Sequence, residues 1–549
     1  MYKQKKKIGL FSIAILTFVL TTAYKTDYFE IAKQIELFTT IFKEINMNYV
    51  DKTSPSRLMQ AALKPMLLEL DPYTTYLSEQ DVESARMNQS GAYVGVGAKV
   101  KIKKNKLIVT EVFEGLPADV NGVRAGDEII QIDGNEVSDL KGVAKQLLSG
   151  KKNSSVRVLI SSNGVEREIS VKRTGVKPKA VPVVKLFDDG VGYIALDRFS
   201  KTASKEVENA LKLLVIDKTK GVILDLRNNP GGLLQEAIKI VNLFIPKGQL
   251  VVSTRSNIES YNQEFVTTKQ PVSLEVPLVV LINKNSASAS EIVAGALQDL
   301  DRAVVLGKRS FGKGLVQRPL PLPFGSQLKV TISRYFTPSG RCIQATDYKK
   351  RSVDGVARKF KKEEYKAYKT KNGRTVYDGG GVSPDIYYDK DKESNFIENL
   401  ISSDLVFDFT NNYSYNNTVK DVESFKLSDK EFNNFKEFSY KGVYFSKGKI
   451  LNYLNGFSDV LKDEEYEVEN ELKVLEKGLE RSRKKLLVKY KEEIKTTLEK
   501  EIIRRFFYRK GAYDYFTLRD VEVNMARDLL NDTVKYFDII VANLFLYYF

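Results

Sequence analysis

Two segments of the chain place a short, mostly apolar run directly before a turn and a helical pattern. Residues 221–226 lead into Pro230-Gly231-Gly232, and residues 278–282 lead into the serine-rich residues 286–290. Apolar runs bounded by turn residues are typical of buried strands, and their alternation with helical patterns indicates strands joined by helices. The repeat therefore predicts an α/β core, interrupted by further β-rich segments, over residues 174–388.

Changes in residue pattern divide the rest of the chain into three further regions. Apolar residues at helical spacing predict an N-terminal helical region over residues 24–86, whereas a period of two with glycines at the turns predicts a β-rich domain with helices over residues 87–173. Residues 174–182 contain one glycine and two prolines and predict a linker. Residues 389–549 predict a mostly helical extension, in which residues 462–509 form a nearly unbroken helical pattern. The expected fold class is a multidomain α/β protein.

The first 23 residues have the layout of an export signal. A cluster of lysines between Lys3 and Lys7 precedes an uncharged apolar stretch over residues 8–23. This order predicts a secretory signal peptide, and because Thr21-Thr22-Ala23 is only a moderate cleavage site, an uncleaved signal anchor stays the alternative. Either interpretation predicts that the chain is exported.

Composition excludes several classes of function. The 549 residues contain no histidine and a single cysteine, Cys342, so an internal disulfide, the common zinc sites and haem ligation by histidine are excluded. The net charge of +16 results from 86 basic residues interleaved with 70 acidic ones, without a nucleic-acid recognition motif. On composition a carboxylate-bound ion stays possible, although no EF-hand loop is present. We expect no cofactor, no metal and no nucleic-acid partner.

A serine and a lysine are the candidates for chemistry. Ser288 lies at the turn between the run 278–282 and a helical pattern over residues 291–297, where unpaired N–H groups at a helix start stabilise negative charge. Without histidine, the base for a serine nucleophile would have to be a lysine with a lowered pKa. Lys313, between two glycines and before an apolar pair, is such a candidate.

Two other interpretations of these residues stay open on spacing alone. Serines before a helix are commonly N-caps, which would leave Ser286, Ser288 and Ser290 without a chemical role. Ser310-Phe311-Gly312-Lys313 also fits the S-x-x-K motif of penicillin-binding proteins. Against this second interpretation, the chain contains no Lys-Thr-Gly, and the loose match Ser260-Tyr261-Asn262 precedes the motif that it should follow.

The β-rich region carries a recognisable peptide-binding pattern. Gly115-Leu116-Pro117-Ala118 and the stretch over residues 126–134 resemble the PDZ domain, and Tyr93-Val94-Gly95-Val96-Gly97 occupies the place of that family's carboxylate-binding loop. Backbone N–H groups of such a loop can hold a peptide's C-terminal carboxylate while the peptide adds a strand to the sheet edge. The resemblance implies peptide binding through Val94, Gly95, Val96 and Gly97.

Over residues 29–388 the chain resembles the carboxyl-terminal processing proteases, also called tail-specific proteases. The order of a PDZ domain before the core is also that of the family. Five motifs carry the resemblance: residues 283–299, Phe311-Gly312-Lys313-Gly314-Leu315-Val316-Gln317, Arg227-Asn228-Asn229-Pro230-Gly231-Gly232, Tyr335-Phe336-Thr337-Pro338-Ser339-Gly340-Arg341 and residues 378–385.

The resemblance implies a role for each site residue. Ser288 would be the nucleophile, Lys313 the general base and Gln317 the group that orients the lysine. The resemblance also implies an oxyanion hole, a pair of N–H groups for the developing negative charge, from Ala289 and either Gly231 or Gly232. A neutral amide at position 317 makes chemical sense, because a carboxylate there would raise the lysine pKa.

The implied function is that of an exported serine endopeptidase. It would cleave protein substrates near their C-termini in the bacterial periplasm, with the N-terminal segment as a candidate anchor in the inner membrane. Further expectations are self-association through the N- or C-terminal helices and an adaptor protein. The alternative is a catalytically silent PDZ adaptor that binds peptides and retains a protease-like core.

Overall fold

The computed structural model of the chain describes residues 28–90, 93–103, 105–140, 144–215, 219–352, 354–388, 395–440 and 449–541. The predicted signal segment, residues 1–23, lies outside these ranges. The chain divides into two compact units, Met1–Ser78 with Pro319–Val330, and Glu79–Arg318 with Thr331–Phe549. Within the described ranges, no helix combines the length and apolar content that a membrane span requires.

In its described residues, the N-terminal part of the first unit forms two helices and a short strand. The helices cover residues 28–48 and Pro55–Leu68, and the strand Thr75–Leu77 pairs antiparallel with residues 327–329. The first helix leaves several apolar side chains exposed to solvent. Their exposed fractions are 56% for Ile31, 62% for Ile35, 44% for Phe38 and 49% for Ile41.

The second unit begins with the helix Glu79–Ser90 and continues into a β-rich domain. The sheet of this domain is antiparallel, and it begins at a free edge with Ala98–Lys103. The strands, in sheet order, are Ala98–Lys103, Lys106–Val112, Glu128–Ile132, Ser155–Ser162 and Val165–Lys172, with Asn135–Glu136 beside the third and short helices at Pro117–Val120 and Ala144–Leu147. The predicted linker is wrong at its start, because Thr174–Val176 forms a strand with Tyr93–Gly95.

A six-stranded sheet forms the α/β core. Its first two strands are antiparallel and the remaining pairs are parallel. The strand order is Val183–Leu186, Val191–Ala195, Gly221–Asp225, Leu278–Ile282, Val304–Gly307 and Ile386–Tyr387. Every residue of the second, third and fourth strands is buried, so both faces of the sheet must be covered.

Different parts of the chain cover the two faces. The helices Ala203–Leu214, Leu234–Asn242 and Ala289–Asp299 share one hydrophobic cluster with the first face. The second face, which includes Ile223 and Val279, packs against helices Val521–Asn531 and Thr533–Val541 of the C-terminal extension. The extension therefore completes the core sheet. The predicted multidomain α/β fold class is confirmed.

Further strands of the second unit lie outside this sheet. Leu250–Arg255 pairs antiparallel with Gln263–Val266 and with residues 334–336 of the strand Gln327–Phe336, which follows the strand Leu315–Pro321. Two small hairpins come next along the chain. They consist of Thr346–Arg351 with Ala357–Lys359 and of Ala367–Lys369 with Thr375–Tyr377; single 3-10 turns lie at Glu259–Tyr261 and Lys362–Glu364.

The C-terminal extension is helical, as predicted. Its described helices are Asn395–Ser402, Asp404–Asn416, Asp429–Tyr440, Lys449–Asp463, Glu469–Lys489, Lys491–Thr517, Val521–Asn531 and Thr533–Val541. Residues 462–509 are helical apart from two breaks, at residues 464–468 and at Tyr490. The helix Lys491–Thr517 is itself kinked at Phe507 and Tyr508, where Tyr508 has a φ of 55°.

Candidate active site

Ser288 lies at the turn that joins the strand Leu278–Ile282 to the helix Ala289–Asp299. We call residues 283–288 the serine loop. Ser288 is the N-cap of this helix and is half-buried, with φ 55° and ψ −112°. Positive φ is strained for a residue with a side chain, and such strain is concentrated at functional sites.

Three neighbouring serines have hydroxyl groups that are already engaged as donors. Ser286 Oγ donates to the Leu226 carbonyl at 2.8 Å, and Ser290 Oγ donates to the Asn229 carbonyl at 2.9 Å. Ser310 Oγ donates to a carboxylate at 2.6 Å and accepts from a backbone N–H at 2.6 Å. All three serines are buried. In the described part of the chain, the Ser288 hydroxyl donates to no acceptor. Ser288 differs in this respect from the other three serines.

Glu291 connects the serine loop to the residues around Lys313, residues 311–314, which we call the lysine turn. One carboxylate oxygen accepts from the N–H groups of Ser288 at 2.8 Å and Lys313 at 2.9 Å. The other accepts from the Gly312 N–H and the Ser310 hydroxyl, both at 2.6 Å. Burial raises the pKa of Glu291 to about 7, and these four hydrogen bonds oppose that rise.

The role of Glu291 was not predicted from the sequence. Its signal was present, since a glutamate three residues after a serine, at the start of a helical pattern, is the capping-box motif. That motif explains the bond to the Ser288 N–H. The bonds to the lysine turn join residues some twenty positions apart, which local spacing does not predict.

The lysine turn also contacts Tyr335. The Tyr335 hydroxyl lies between the carbonyl oxygens of Ser288, at 3.2 Å, and Lys313. Gly312 has a φ of 86°, and a Cβ at this position would lie 2.3 Å from Ala345 Cβ, so the turn requires glycine. Lys313 is half-buried. Glu291 and Tyr335 thus hold the backbones of the predicted nucleophile and base in one site.

Gln317, the predicted orienting residue, lies on the strand that follows the lysine turn. This strand is Leu315–Pro321, and Gln317 Nε2 donates to Thr331 Oγ1 at 3.2 Å. The amide oxygen, Oε1, is the acceptor end of the same side chain.

The residues after Arg227 form a glycine loop, residues 228–232, beside the serine loop. Gly231 has a φ of 97°, and a Cβ there would lie 2.6 Å from the Ala287 carbonyl oxygen and 2.9 Å from the Ala289 nitrogen. The Gly231 N–H donates to Asn229 Oδ1 at 2.9 Å. Among the residues that the structure describes, the N–H groups of Gly232 and Ala289 have no acceptor. The N–H group of Gly231 is therefore already bonded, whereas that of Gly232 is not, a difference between the two glycines that the sequence did not predict.

Asparagines connect the glycine loop to the serine loop. The Ala287 N–H donates to the Asn229 carbonyl at 3.0 Å, and the Asn229 amide donates to the Leu196 carbonyl at 2.7 Å. Asn228 Oδ1 accepts from the side chains of Asn283 at 3.1 Å and Asn285 at 2.9 Å. Because the two loops follow adjacent parallel strands, they meet at the same edge of the core sheet.

The predicted carboxylate-binding loop borders an apolar pocket in the β-rich domain. Val94 and Gly95 belong to the strand Tyr93–Gly95, Gly95 forms an antiparallel bridge with Ser149, and the Gly97 N–H has no acceptor in the described residues. The pocket is apolar throughout. Its lining includes Val96, Ala98, Val100, Val123, Ile129 and Leu148. The pocket lies beside the edge strand Ala98–Lys103 and is continuous with the hydrophobic core of this domain.

The described residues contain no group of three or more acidic or cysteine side chains that could hold a metal ion.

Three protein-family models match the chain. They are the PDZ domain over residues 94–172, peptidase family S41 over residues 190–356, and the C-terminal helical domain of probable PDZ-proteases over residues 396–530.

Individual relatives are similar to part of the chain. The carboxy-terminal-processing protease of Bartonella bacilliformis is 35% identical over 354 residues, which cover 63% of this chain and 80% of that protein. A probable CtpA-like serine protease of Staphylococcus aureus is 34% identical over 328 residues, 59% of this chain and 65% of that protein. Among solved structures, the photosystem II D1 C-terminal processing protease is 27% identical, with a TM-score of 0.35, and the match covers 64% of this chain and 92% of that one.

Proposed function

Since this chain belongs to the carboxy-terminal processing proteases of peptidase family S41, which are serine peptidases, we propose that Ser288 is its nucleophile and Lys313 its general base. The family resemblance and the PDZ domain predicted from the sequence are confirmed. The assignment of individual residues is our proposal.

One observation carries the assignment: the Glu291 carboxylate binds the N–H groups of both Ser288 and Lys313. A single buried group thereby fixes two loops that the sequence separates by 25 positions. The engaged hydroxyl groups of Ser286, Ser290 and Ser310 support the choice of Ser288, whose hydroxyl proton has no acceptor among the described residues. The same engagement argues against the S-x-x-K interpretation, in which Ser310 would be the nucleophile.

The proposed reaction needs a neutral lysine. Lys313 Nζ takes the proton from Ser288 Oγ, which attacks the substrate carbonyl, and then protonates the leaving amine; water hydrolyses the acyl-enzyme with the same base. The N–H groups of Ala289 and Gly232 would stabilise the oxyanion, because the Gly231 N–H is occupied by Asn229.

The reaction requires the Lys313 amine within hydrogen-bond reach of the Ser288 hydroxyl. We propose that this contact forms in the substrate complex. Gln317 Oε1 would then accept a hydrogen bond from Lys313, while Nε2 keeps its contact with Thr331. A neutral acceptor would fix the lysine without raising its pKa.

The PDZ domain would deliver substrates by their C-termini. The N–H groups of Val96 and Gly97 would bind the terminal carboxylate, and the apolar pocket would take the last side chain. The peptide backbone would pair with the free edge of Ala98–Lys103. Cleavage near the C-terminus of the substrate follows from this mode of capture.

Location and assembly are further parts of the proposal. The lysine cluster and apolar stretch over residues 1–23 support export to the periplasm, with or without an inner-membrane anchor. The exposed apolar side chains of the helix 28–48 support self-association with a second copy of the chain. An adaptor protein that presents substrates stays an expectation drawn from the family resemblance.

Incubation of the purified protein with unfolded β-casein tests the function. We expect cleavage by the wild type, none by Ser288→Ala or Lys313→Ala, and cleavage by Ser286→Ala, which removes a structural hydroxyl in the same loop. Cleavage by Ser288→Ala, together with its loss in Ser310→Ala, would support the S-x-x-K alternative. Peptide binding without any cleavage by the wild type would support the silent adaptor.

A further inference from the structure

Arg227, directly before the glycine loop, binds three carboxylates in the interior of the second unit. Its side chain is only 7% exposed. One carboxylate belongs to Asp225, the last residue of the preceding strand, 2.6 Å away. The other two belong to Asp520, at 2.8 Å, and Glu522, at 2.5 Å. The last two lie almost 300 positions further along the chain, in the C-terminal extension. The extension thus reaches the residue next to the proposed oxyanion hole.

The two distant carboxylates come from one helix start. Asp520 is the N-cap of the helix Val521–Asn531 and accepts from the Val523 N–H at 2.9 Å. Glu522 lies in the first turn of the same helix. This helix packs its buried side, including Val523 and Leu530, on the second face of the core sheet. The packing therefore sets where both carboxylates meet Arg227.

The Glu522 carboxylate has one oxygen without a hydrogen bond in the protein interior. Its second oxygen, Oε1, is buried and has no hydrogen-bond partner among the described residues. Desolvation of the carboxylate is unfavourable, and a group that only stabilised the fold would be expected to have both oxygens satisfied. Asp225 is also shared, because it accepts from the buried Tyr193 hydroxyl at 2.8 Å. Asp520 and Glu522 thus supply much of the charge that holds Arg227.

Any movement of Arg227 would reach the site through its neighbours. Asn228 follows immediately, in a strained conformation with φ 60°, and is bonded to Asn283 and Asn285 of the serine loop. The Asn229 carbonyl accepts from the Ala287 N–H. The guanidinium, the glycine loop and the serine loop thus form one continuous chain of contacts.

We propose that Asp520 and Glu522 are positioning residues for catalysis, which act through Arg227 to hold the glycine loop in the geometry that the oxyanion requires. The proposal rests on the assignment of Ser288 and of the glycine loop made above. It gives the C-terminal helical domain a direct part in the reaction, although none of its residues touches the substrate.

Conservative substitutions in the full chain test the proposal. Asp520→Asn retains an N-cap, since asparagine caps as well as aspartate, and Glu522→Gln retains the shape of the side chain. Each removes the charge and replaces one carboxylate oxygen by an NH2 group, which cannot accept from Arg227. Asp528→Asn is the matched control, because Asp528 lies on the same helix and is exposed to solvent. Ser288→Ala serves as the inactive reference.

The expected result is a fall in kcat on β-casein without a matching change in KM. Loss of an entire oxyanion donor lowers kcat by about 100-fold to 1,000-fold, so displacement of the loop in the Asp520→Asn, Glu522→Gln double variant should lower it by about tenfold. Glu522→Asp, which keeps the charge, should recover more activity than Glu522→Gln. Asp528→Asn should behave as the wild type.

Two results would overturn the proposal. One is a double variant that is folded at the assay temperature and has an unchanged kcat. The other is a loss of activity that merely follows the fall in Tm, with no difference between Glu522→Asp and Glu522→Gln of equal Tm. Full activity of Ser288→Ala would instead refute the nucleophile assignment, and the positioning role with it.

Discussion

Replacement of Glu291 by glutamine should separate the effect of its charge from the effect of its hydrogen bonds. The carboxylate accepts from four donors, two on each oxygen. An amide has only one oxygen, so two of the four donors would face an NH2 group. Loss of two hydrogen bonds to a charged acceptor is destabilising by about 3–6 kcal/mol.

The loss is partly offset, because the charge itself is costly where Glu291 lies. Burial raises its pKa to about 7 from an ordinary value of 4.5, which corresponds to about 3 kcal/mol. A raised folded-state pKa means that the folded protein holds this proton more tightly than the unfolded chain. The contribution of Glu291 to stability is therefore full below pH 4.5 and is lost as the pH rises to about 7.

The pH dependence of unfolding tests this reasoning. We expect the free energy of unfolding of the wild type to fall by about 3 kcal/mol relative to Glu291→Gln between about pH 4.5 and about pH 7. We also expect Glu291→Gln to cleave β-casein at least about tenfold more slowly at about pH 8, since the serine loop and the lysine turn are no longer held together.

Glu364→Gln is the matched control. Glu364 accepts from the Lys361 N–H in the same three-residue arrangement but is exposed to solvent, so its substitution should leave activity unchanged. Parallel pH curves for the wild type and Glu291→Gln would refute the argument, since a charge that cost nothing to bury would leave no such difference.

Three other perturbations address the base, the peptide site and self-association. Gln317→Glu should shift the pH–rate profile to higher pH, because a carboxylate raises the pKa of Lys313, whereas Gln317→Ala should lower kcat without that shift. Gly97→Val should abolish binding of peptides with a free C-terminus, measured by fluorescence anisotropy, because Gly97 has a φ of 86° and borders the proposed carboxylate site. Ile35→Glu should dissociate self-associated chains in sedimentation analysis, because Ile35 is 62% exposed on the N-terminal helix.

Each of these three expectations would be contradicted by a specific experimental result. Equal pH–rate profiles for Gln317→Glu and the wild type would exclude contact between residue 317 and the base. Equal affinity of the wild type for free and amidated peptide C-termini would exclude carboxylate recognition by the loop around Gly97. A wild-type chain that sediments as a monomer at all concentrations would exclude the second copy as the occupant of the helix 28–48.

Local pattern was enough to predict several elements. The strands within residues 221–226 and 278–282 follow from the apolar composition of those runs, and the turn at Ser288 follows from the serines that begin a helical pattern. Contacts between distant residues were not predicted. Spacing around Glu291 indicates a helix cap but contains no information on Gly312 or Lys313, which reach it only through the fold.

The C-terminal extension shows the same limit. Its helical spacing predicted helices and apolar faces, and the structure contains both. The surface that such a face covers depends on tertiary packing, so the contact of Val521–Asn531 with the core sheet could not be derived from periodicity. The break at Tyr490 was missed because the residues on both sides are strong helix formers.

The cover that Val521–Asn531 and Thr533–Val541 provide for the sheet has a consequence for the order of events in biosynthesis. The strands are made first, and the helices that shield their second face are made more than 130 residues after the last strand, Ile386–Tyr387. Until then the growing chain presents an uncovered apolar sheet, and Arg227 has only Asp225 as a partner. The second face of the sheet and the full set of carboxylates around Arg227 can therefore be completed only after the C-terminal helices have emerged.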